Sequence, residues 1–136
     1  MSKKTTPPAE ACPCESGKPY EACCGRYHRG AVAPTPEALM RSRYSAYTMR
    51  LSLYLLMTWH PSTRPHFQDL DVGERDTFWL GLKVLRTEQP TPDEGIVEFV
   101  ARYRVGGGRA VRLHETSRFV REKGVWFYVD GEIKPS

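Results

Sequence analysis

Residues 95–122 read GIVEFVARYRVGGGRAVRLHETSRFVRE. In the first half, apolar side chains recur at every second residue from Val97 to Val105, and most of the residues between them are charged. This alternation is typical of a half-buried β-strand. Three glycines at 106–108 then supply a turn, and residues 109–122 predict the next strand. The pattern indicates an antiparallel hairpin.

Further strands are predicted on both sides of this hairpin. Residues 78–86 form an apolar run before it, and residues 125–129 form another run after it. The dipeptide Lys123-Gly124 is typical of a tight turn between two strands. Three or four sequential strands joined by tight turns predict an antiparallel meander.

Helices are predicted ahead of the strands. Thr35 is suited to cap a helix and Pro36 to occupy its first position, and we expect this helix to run to about Thr48. A shorter helix is predicted with Ser52 as its cap, ending at about Thr58. Helices followed by antiparallel strands indicate an α+β fold, a curved sheet packed on the N-terminal helices.

Four cysteines, the full complement of the chain, lie within thirteen residues: Cys12, Cys14, Cys23 and Cys24. Cys23 and Cys24 are adjacent, and one residue separates Cys12 from Cys14, so a disulfide within either pair requires strained backbone. Four clustered thiolates instead form a closed tetrahedral site for one structural Zn²⁺. Free buried thiols and a redox switch are the alternatives.

The residues around the cysteines suit such a site. Gly17 permits a turn after the first pair, Pro19 fits the start of a short helical turn, and Gly25 is predicted to end that turn. The cations Lys18, Arg26 and Arg29 lie close enough in sequence to offset the excess negative charge of four thiolates on one Zn²⁺. His28 is a competing ligand, although a surface histidine is the simpler interpretation.

Composition limits the function classes. The chain has 136 residues and a formal charge of +4, from 20 Lys and Arg against 16 Asp and Glu. Four thiolates with one Zn²⁺ reduce that charge to about +2, a bias too weak to indicate nucleic-acid binding by itself. No apolar run approaches the length of a membrane span. No apolar run follows Lys3 and Lys4, so we expect no secretory signal and a cytoplasmic location.

Two resemblances extend this interpretation. The pattern Cys-x-Cys-x-Ser-Gly, followed by Cys-Cys-Gly at residues 23–25, resembles the SEC-C motif, in which histidine often replaces the fourth cysteine, here Cys24. Residues 35–47, 58–61, 116–119 and 128–131 resemble the bacterial YchJ family. We expect the polar residues 1–11 to form a disordered tail. The SEC-C resemblance implies a zinc module at 12–30, and the YchJ resemblance implies a cone-shaped, nuclear transport factor 2-like domain at 35–136.

A cone of this type encloses a cavity between helix and sheet, and several polar residues are placed to line it. Arg43 lies within the apolar stripe of the first helix, and Glu115 and Ser117 lie on the apolar face of their strand. We expect Arg43 and Glu115 to pair, because a buried charge needs a partner. The alternative is that Glu115 turns outward. The remaining candidates for the cavity are Trp59, His60 and Phe119.

Three functions are compatible with these features. The first is a zinc-stabilised interaction module that docks on a protein or ribosomal partner, which the SEC-C resemblance implies. The second is a small-molecule-binding protein or enzyme that uses the cone cavity. The third is nucleic-acid binding through the zinc module and nearby arginines, which no recognisable motif supports. We favour the first and assign no catalytic residue. The oligomeric state is left open.

Overall fold

The computed structural model describes residues 10–135 and confirms an α+β fold in which helices precede one antiparallel sheet. The sheet has four strands in the order β1-β2-β3-β4, each paired with the next along the chain. The helices are α1 (Cys24–His28), α2 (Pro36–Met49) and α3 (Ser52–Met57), and 3₁₀ turns lie at Tyr20–Ala22 and Phe67–Asp69. The strands are β1 (Thr77–Thr91), β2 (Glu94–Val105), β3 (Val111–Glu122) and β4 (Val125–Lys134).

The start of α2 forms as its sequence predicts. The Thr35 hydroxyl accepts a hydrogen bond from the Ala38 amide at 3.0 Å, and Pro36 occupies the first helical position. The helix ends one residue beyond the expected Thr48, and Arg50 then adopts a left-handed conformation (φ 58°). Thr35 therefore stabilises the start of α2, because it satisfies a backbone amide that the helix itself cannot pair.

Three local predictions are wrong. Ser52 is the first residue of α3 rather than its cap, and no side chain caps that helix. Strand β1 continues five residues beyond Arg86 and includes Pro90, which an edge strand tolerates because one side of it has no partner strand. Strand β4 continues past Val129 to Lys134. Both extensions gain their backbone hydrogen bonds from the neighbouring strand, a long-range effect that local sequence does not reveal.

Three bulges in the β1–β2 ladder interrupt its register, and one more interrupts β3–β4 at Arg118/Phe119. Bulges bend the strand that carries them and increase its twist. The β2–β3 pairing, by contrast, runs without interruption from Glu94 to Tyr103. The Lys123-Gly124 turn joins β3 to β4 with positive φ at both residues (51° and 79°), as a tight hairpin turn requires.

The hydrophobic core lies between α2 and one face of the sheet. From α2, Leu39 and Met40 are buried, and from the sheet the predicted inward residues Val97, Phe99 and Ala101 are buried opposite them. All four cysteines belong to the same buried cluster. The cysteine segment is therefore packed into the core of the domain, which a separate appendage would not be.

The predicted tail at residues 1–11 lies outside the described residues up to residue 9. The remaining two residues are paired: Ala11 forms an antiparallel bridge with Pro19, and the Tyr20 amide donates to the Glu10 carbonyl oxygen at 2.9 Å. None of the helices within residues 10–135 is long and apolar enough to cross a membrane.

The contact between α2 and β2 generates a prediction about Gly95. A Cβ atom at Gly95 would lie 2.3 Å from Cγ and 2.8 Å from Cβ of Pro36, which is held in the first turn of α2. We expect Gly95→Ala to lower the free energy of unfolding by about 1–3 kcal/mol, because the proline ring cannot move aside. Urea denaturation measures this change.

Gly107→Ala is the matched control, because a Cβ atom at Gly107 meets nothing within 4 Å. Its effect should stay within about 0.5 kcal/mol. Equal destabilisation by the two substitutions would contradict the assigned contact between Gly95 and Pro36.

Candidate functional site

Four cysteine sulfurs converge at the N-terminal end of the fold. The Sγ atoms of Cys12, Cys14, Cys23 and Cys24 all lie within 4.8 Å of one another, and all four residues are buried. The thiols are free, and the Cys14 and Cys23 sulfurs are 3.6 Å apart, well beyond a disulfide bond. Tetrahedral thiolate coordination at about 2.3 Å places ligand sulfurs about 3.8 Å apart. The cluster therefore fits a single metal ion.

A short hairpin-like loop positions the first cysteine pair. The Cys12 amide donates to the Lys18 carbonyl oxygen at 2.9 Å, and the Glu15 amide donates to the Cys12 carbonyl oxygen at 3.1 Å. The reversal uses Gly17 at φ 86°, as expected, and also Glu15 at φ 65°. The backbone turn thereby directs both sulfurs of the pair toward one point.

The second pair lies where the 3₁₀ turn meets α1. Cys23 is the junction residue and Cys24 begins the helix. Gly25 does not end a helical turn, as predicted from the sequence, but lies within α1. Its role is close packing, because a Cβ atom there would meet the Tyr20 carbonyl oxygen at 2.8 Å and the Tyr20 ring at 2.9 Å.

The thiols influence one another's ionisation strongly. A hydrogen bond from Cys24 lowers the pKa of Cys14 to about 4, and the same hydrogen bond, together with burial, raises the pKa of Cys24. Burial likewise raises the pKa of Cys23. Four thiolates cannot coexist at this spacing without a cation, because each new negative charge is opposed by its neighbours. A bound divalent cation is what makes full ionisation favourable.

Helix α2 supplies a supporting shell for the cysteines that sequence reasoning missed. Arg41 donates from Nη1 to the Cys14 carbonyl oxygen at 2.7 Å, and the fully buried Ser45 hydroxyl lies 3.6 Å from the Cys12 sulfur. Arg41 and Ser45 are four residues apart and so share one face of the helix. That spacing is visible in the sequence, but only the fold shows which element the face contacts.

The three cations predicted to surround the cluster make different contacts. Arg26 donates from Nε to the Cys23 carbonyl oxygen at 3.2 Å, whereas Arg29 pairs with Glu21. Lys18 contributes its backbone carbonyl, which accepts from Cys12. Of these three, Arg26 alone brings its guanidinium to a cysteine residue, and Arg41 from α2 is the additional cation.

His28 connects the cysteine segment to α2 and is no competing ligand. Its Nε2 lies 2.8 Å from the Ser42 carbonyl oxygen and its Nδ1 lies 2.6 Å from the Tyr20 hydroxyl. A carbonyl only accepts, so Nε2 carries the proton and Nδ1 accepts from Tyr20. Burial lowers the pKa of His28, which keeps the ring neutral. The prediction of a plain surface histidine is therefore wrong.

A cavity of about 440 Å³ lies between α2 and the sheet. Four of the residues expected there line it: Arg43, Glu115, Ser117 and Phe119. Arg43 is almost fully buried, and Glu115 is half-buried and accepts a hydrogen bond from the Ser117 hydroxyl at 2.7 Å. Glu115 therefore turns into the domain, as the alternation of β3 predicts.

The expected ion pair between Arg43 and Glu115 does not form within 4.0 Å in the described part of the chain. Arg43 donates from Nη1 to the Leu55 carbonyl oxygen at 2.8 Å and to the Thr58 hydroxyl at 2.7 Å. These two acceptors hold the guanidinium at the C-terminal end of α3, away from the β3 carboxylate.

Trp59 and His60 lie outside this cavity. A parallel bridge joins Trp59 to Tyr128, and the Trp59 ring packs edge-on against the Tyr128 ring at 4.9 Å. His60 lies near the end of β3, where Nε2 contacts Glu122 at 2.8 Å. Residues 58–60, which follow α3, pair with β4 through backbone hydrogen bonds to Tyr128, a long-range contact that their position at a helix end does not reveal.

Comparison with known proteins identifies the family of this chain. A model described as the YchJ middle NTF2-like domain matches residues 35–131, which is more than half of the sequence. The chain belongs to the YchJ family. The model of the SEC-C motif matches residues 9–26, which contain all four cysteines. YchJ-type domain and SEC-C motif thus account for most of the sequence.

Relatives of this YchJ-family chain have the same extent. A UPF0225 protein from Xanthomonas oryzae pv. oryzae is 55% identical over 126 residues, covering 93% of this chain and 97% of the relative. A UPF0225 protein from Bordetella parapertussis is 50% identical over 137 residues, covering 98% and 100%. The alignments therefore include both the cysteine segment and the sheet.

Two solved structures share the architecture. A SEC-C motif containing protein from Rhodopseudomonas palustris, solved in solution, is 37% identical with a TM-score of 0.78, covering 91% of this chain and 98% of that one. A SEC-C motif containing protein from Psychrobacter arcticus, solved by crystallography, is 28% identical with a TM-score of 0.74, covering 93% and 84%. The SEC-C motif and the sheet thus occur together in other members of this fold.

The bonding of His28 generates a prediction for NMR. We expect ¹⁵N shifts of the His28 ring to show a protonated Nε2 at neutral pH, and its pKa to lie below the ordinary value of 6.5. Since the unfolded chain then binds this proton at higher pH than the folded chain, the stabilising contribution is complete above about pH 6.5 and is lost as the pH falls.

Tyr20→Phe is the control for the tautomer, because it removes the Nδ1 partner and leaves the Ser42 carbonyl in place. The proton should remain on Nε2 in this variant. A proton on Nδ1, or a His28 pKa above 6.5, would contradict the assigned contacts.

Proposed function

We propose that this YchJ-family protein is a zinc-stabilised interaction module that docks on a protein partner. The observation that carries the proposal is the closed cluster of four buried sulfurs. A catalytic zinc site keeps one position open for water or substrate, whereas four protein ligands leave none. The metal would then stabilise the fold, and the protein would act by binding a partner through its surface.

Zinc is the metal that this donor set favours. Four thiolates in a tetrahedral arrangement are typical of structural Zn²⁺. This ion has a filled d shell, so it is not redox-active and has no electronic preference for another geometry. The sulfurs are spaced for a single ion rather than for a larger cluster. A reducing cytoplasm is the location that we propose, because it keeps all four cysteines available as thiolates.

The outer face of α3 supports docking through apolar contacts. Leu53 and Met57 are 67% and 68% exposed, and their spacing of four residues places them side by side. Tyr54 of the same helix packs its ring against the His28 ring at 4.7 Å, so α3 contacts the cysteine segment. Large exposed apolar side chains grouped in this way are typical of protein–protein contact sites.

Charge gives nucleic-acid binding no comparable support. Within residues 10–30, Lys18, Arg26 and Arg29 are balanced by three glutamates, and Arg29 is paired with Glu21. Four thiolates and one Zn²⁺ would add two further negative charges to this segment. A phosphate backbone is attracted by excess cations, which the zinc-loaded segment would lack.

Native mass spectrometry tests the metal. We expect one Zn²⁺ per chain in protein purified without added metal. A variant carrying Cys23→Ser and Cys24→Ser should bind none, because the two remaining cysteines do not complete a four-coordinate site. A bound mass corresponding to another metal, or retention of zinc in the double variant, would contradict the assignment.

Arg41→Met extends this test to the α2 contact. It removes the donor to the Cys14 carbonyl and should weaken zinc affinity by about 10- to 100-fold in a chelator competition. Arg118→Met is the matched control, because Arg118 pairs with Asp130 on the sheet. Equal affinities in the two variants would show that Arg41 does not support the site.

Site-specific photo-crosslinking in cells tests the docking face. A photoreactive amino acid in place of Met57 should capture a defined protein, and Leu53→Glu should abolish capture while zinc is retained. The same probe in place of Leu85, which is 44% exposed on β1, is the control and should not capture that protein.

One outcome identifies the partner, and two others reject the docking face. Crosslinks to ribosomal proteins, together with co-sedimentation with ribosomes, would identify the ribosome as the partner. The docking face is rejected if positions 57 and 85 capture the same proteins, or if Leu53→Glu leaves capture unchanged.

A further inference from the structure

The cavity between α2 and the sheet lies apart from the cysteine cluster and from the exposed face of α3. Its volume of about 440 Å³ falls in the range of small-molecule sites. Aromatic and aliphatic side chains form most of its wall, and a few charged groups project into it. A wall of this composition binds the body of a ligand, while the charged groups select its polar end.

Arg43 provides a buried positive charge at one end of the cavity. Only 5% of the residue is exposed, and burial lowers its pKa. Its guanidinium stacks over the Tyr128 ring at 4.4 Å and over the Trp59 ring at 5.1 Å. Its two hydrogen-bond acceptors, the Leu55 carbonyl and the Thr58 hydroxyl, are neutral. No carboxylate lies within 4.0 Å of the guanidinium among residues 10–135, so an anionic ligand group would offset the cost of its desolvation.

Glu115 provides the opposite charge in the same cavity. Its carboxylate accepts from the Ser117 hydroxyl, and no cation lies within 4.0 Å of it among residues 10–135. Gly131 leaves the space for this carboxylate, because a Cβ atom there would lie 2.0 Å from Oε2. The carboxylate is therefore held by the Ser117 hydroxyl in the space that Gly131 leaves open on the adjacent strand.

Arg43 and Glu115 line the same cavity but do not form an ion pair. Their charged groups are more than 4.0 Å apart. The gap suits a ligand group that carries a negative and a positive charge close together, so that each protein charge gains its counterion.

Aromatic rings surround the other end of the cavity. Trp79 is central, with the Tyr103 ring at 5.3 Å, the Tyr44 ring at 5.5 Å and the Tyr47 ring at 6.3 Å. Such a cluster favours a planar aromatic body, which gains both buried area and ring–ring contacts. At the exposed edge, Asp71 and Glu74 disfavour a ligand of net negative charge.

We propose that this cavity binds a small zwitterion of the aromatic amino-acid type, with its carboxylate on Arg43, its ammonium group on Glu115 and its ring against Trp79. Arg43 offers a planar fork that matches a carboxylate. Glu115 and the Ser117 hydroxyl offer acceptors for an ammonium group. Arg43 and Glu115 would then each gain a counterion.

The test is an NMR titration of the full-length zinc-loaded protein, followed at the Trp79 indole N–H. L-phenylalanine is the zwitterionic probe, 3-phenylpropionate lacks the ammonium group and 2-phenylethylamine lacks the carboxylate. We expect L-phenylalanine to bind about tenfold more tightly than either analogue, since each lost charge pair costs about one decade of affinity.

Two substitutions assign the charges. Glu115→Gln should remove the preference for L-phenylalanine over 3-phenylpropionate, and Arg43→Lys should weaken both of these acids while leaving 2-phenylethylamine unchanged. Glu122→Gln, which alters a carboxylate outside the cavity, is the matched control and should bind as the unmodified protein does. If Arg43→Lys fails to fold, the preference of the unmodified protein for L-phenylalanine over 2-phenylethylamine tests the carboxylate contact. Ser117→Ala is then a second test of the ammonium contact and should weaken binding of 2-phenylethylamine.

Three results would overturn the proposal. The first is no shift of the Trp79 signal at about 10 mM L-phenylalanine, a concentration that detects even very weak binding. The second is tighter binding of 3-phenylpropionate, which would identify a simple organic-acid site. The third is unchanged ligand preference in Glu115→Gln.

Discussion

The packing of α2 between the cysteine cluster and the sheet is the contact on which the other features depend. One face of this helix supplies Arg41 and Ser45 to the cysteine segment. Another supplies Arg43 to the cavity, and Met40 and Tyr44 belong to the core while also lining the cavity. Because a helix is rigid over a few turns, a change in its position at one site displaces side chains at the other.

This arrangement explains how a segment of about twenty residues keeps a defined shape. A segment this short buries too little apolar surface to fold alone. Here its cysteines share the domain core, and His28 bonds to the backbone of α2. Metal binding and core packing are therefore coupled, so that loss of the metal is expected to loosen α2 as well as the cysteine loop.

Helix α2 lies between the cysteine cluster and the cavity, and these two sites differ in whether a ligand could enter them. Four sulfur ligands would complete the tetrahedral coordination of one metal ion and leave no position for a substrate. In the cavity, by contrast, Arg43 and Glu115 each lie without a counterion within 4.0 Å in the described chain. Unpaired buried charges are costly, and proteins generally retain them where a ligand completes them.

Local sequence determined the order of the elements, the clustering of the four cysteines and the start of α2, because turns, caps and close residue spacing act over a few residues. The alternation of β3 also placed Glu115 inside. Tertiary structure decided the rest: Arg41 and Ser45 join the cysteine site, Trp59 and His60 leave the cavity, and Arg43 bonds to α3 instead of Glu115. These outcomes depend on contacts between residues that are far apart in the sequence, and local residue spacing does not predict such contacts.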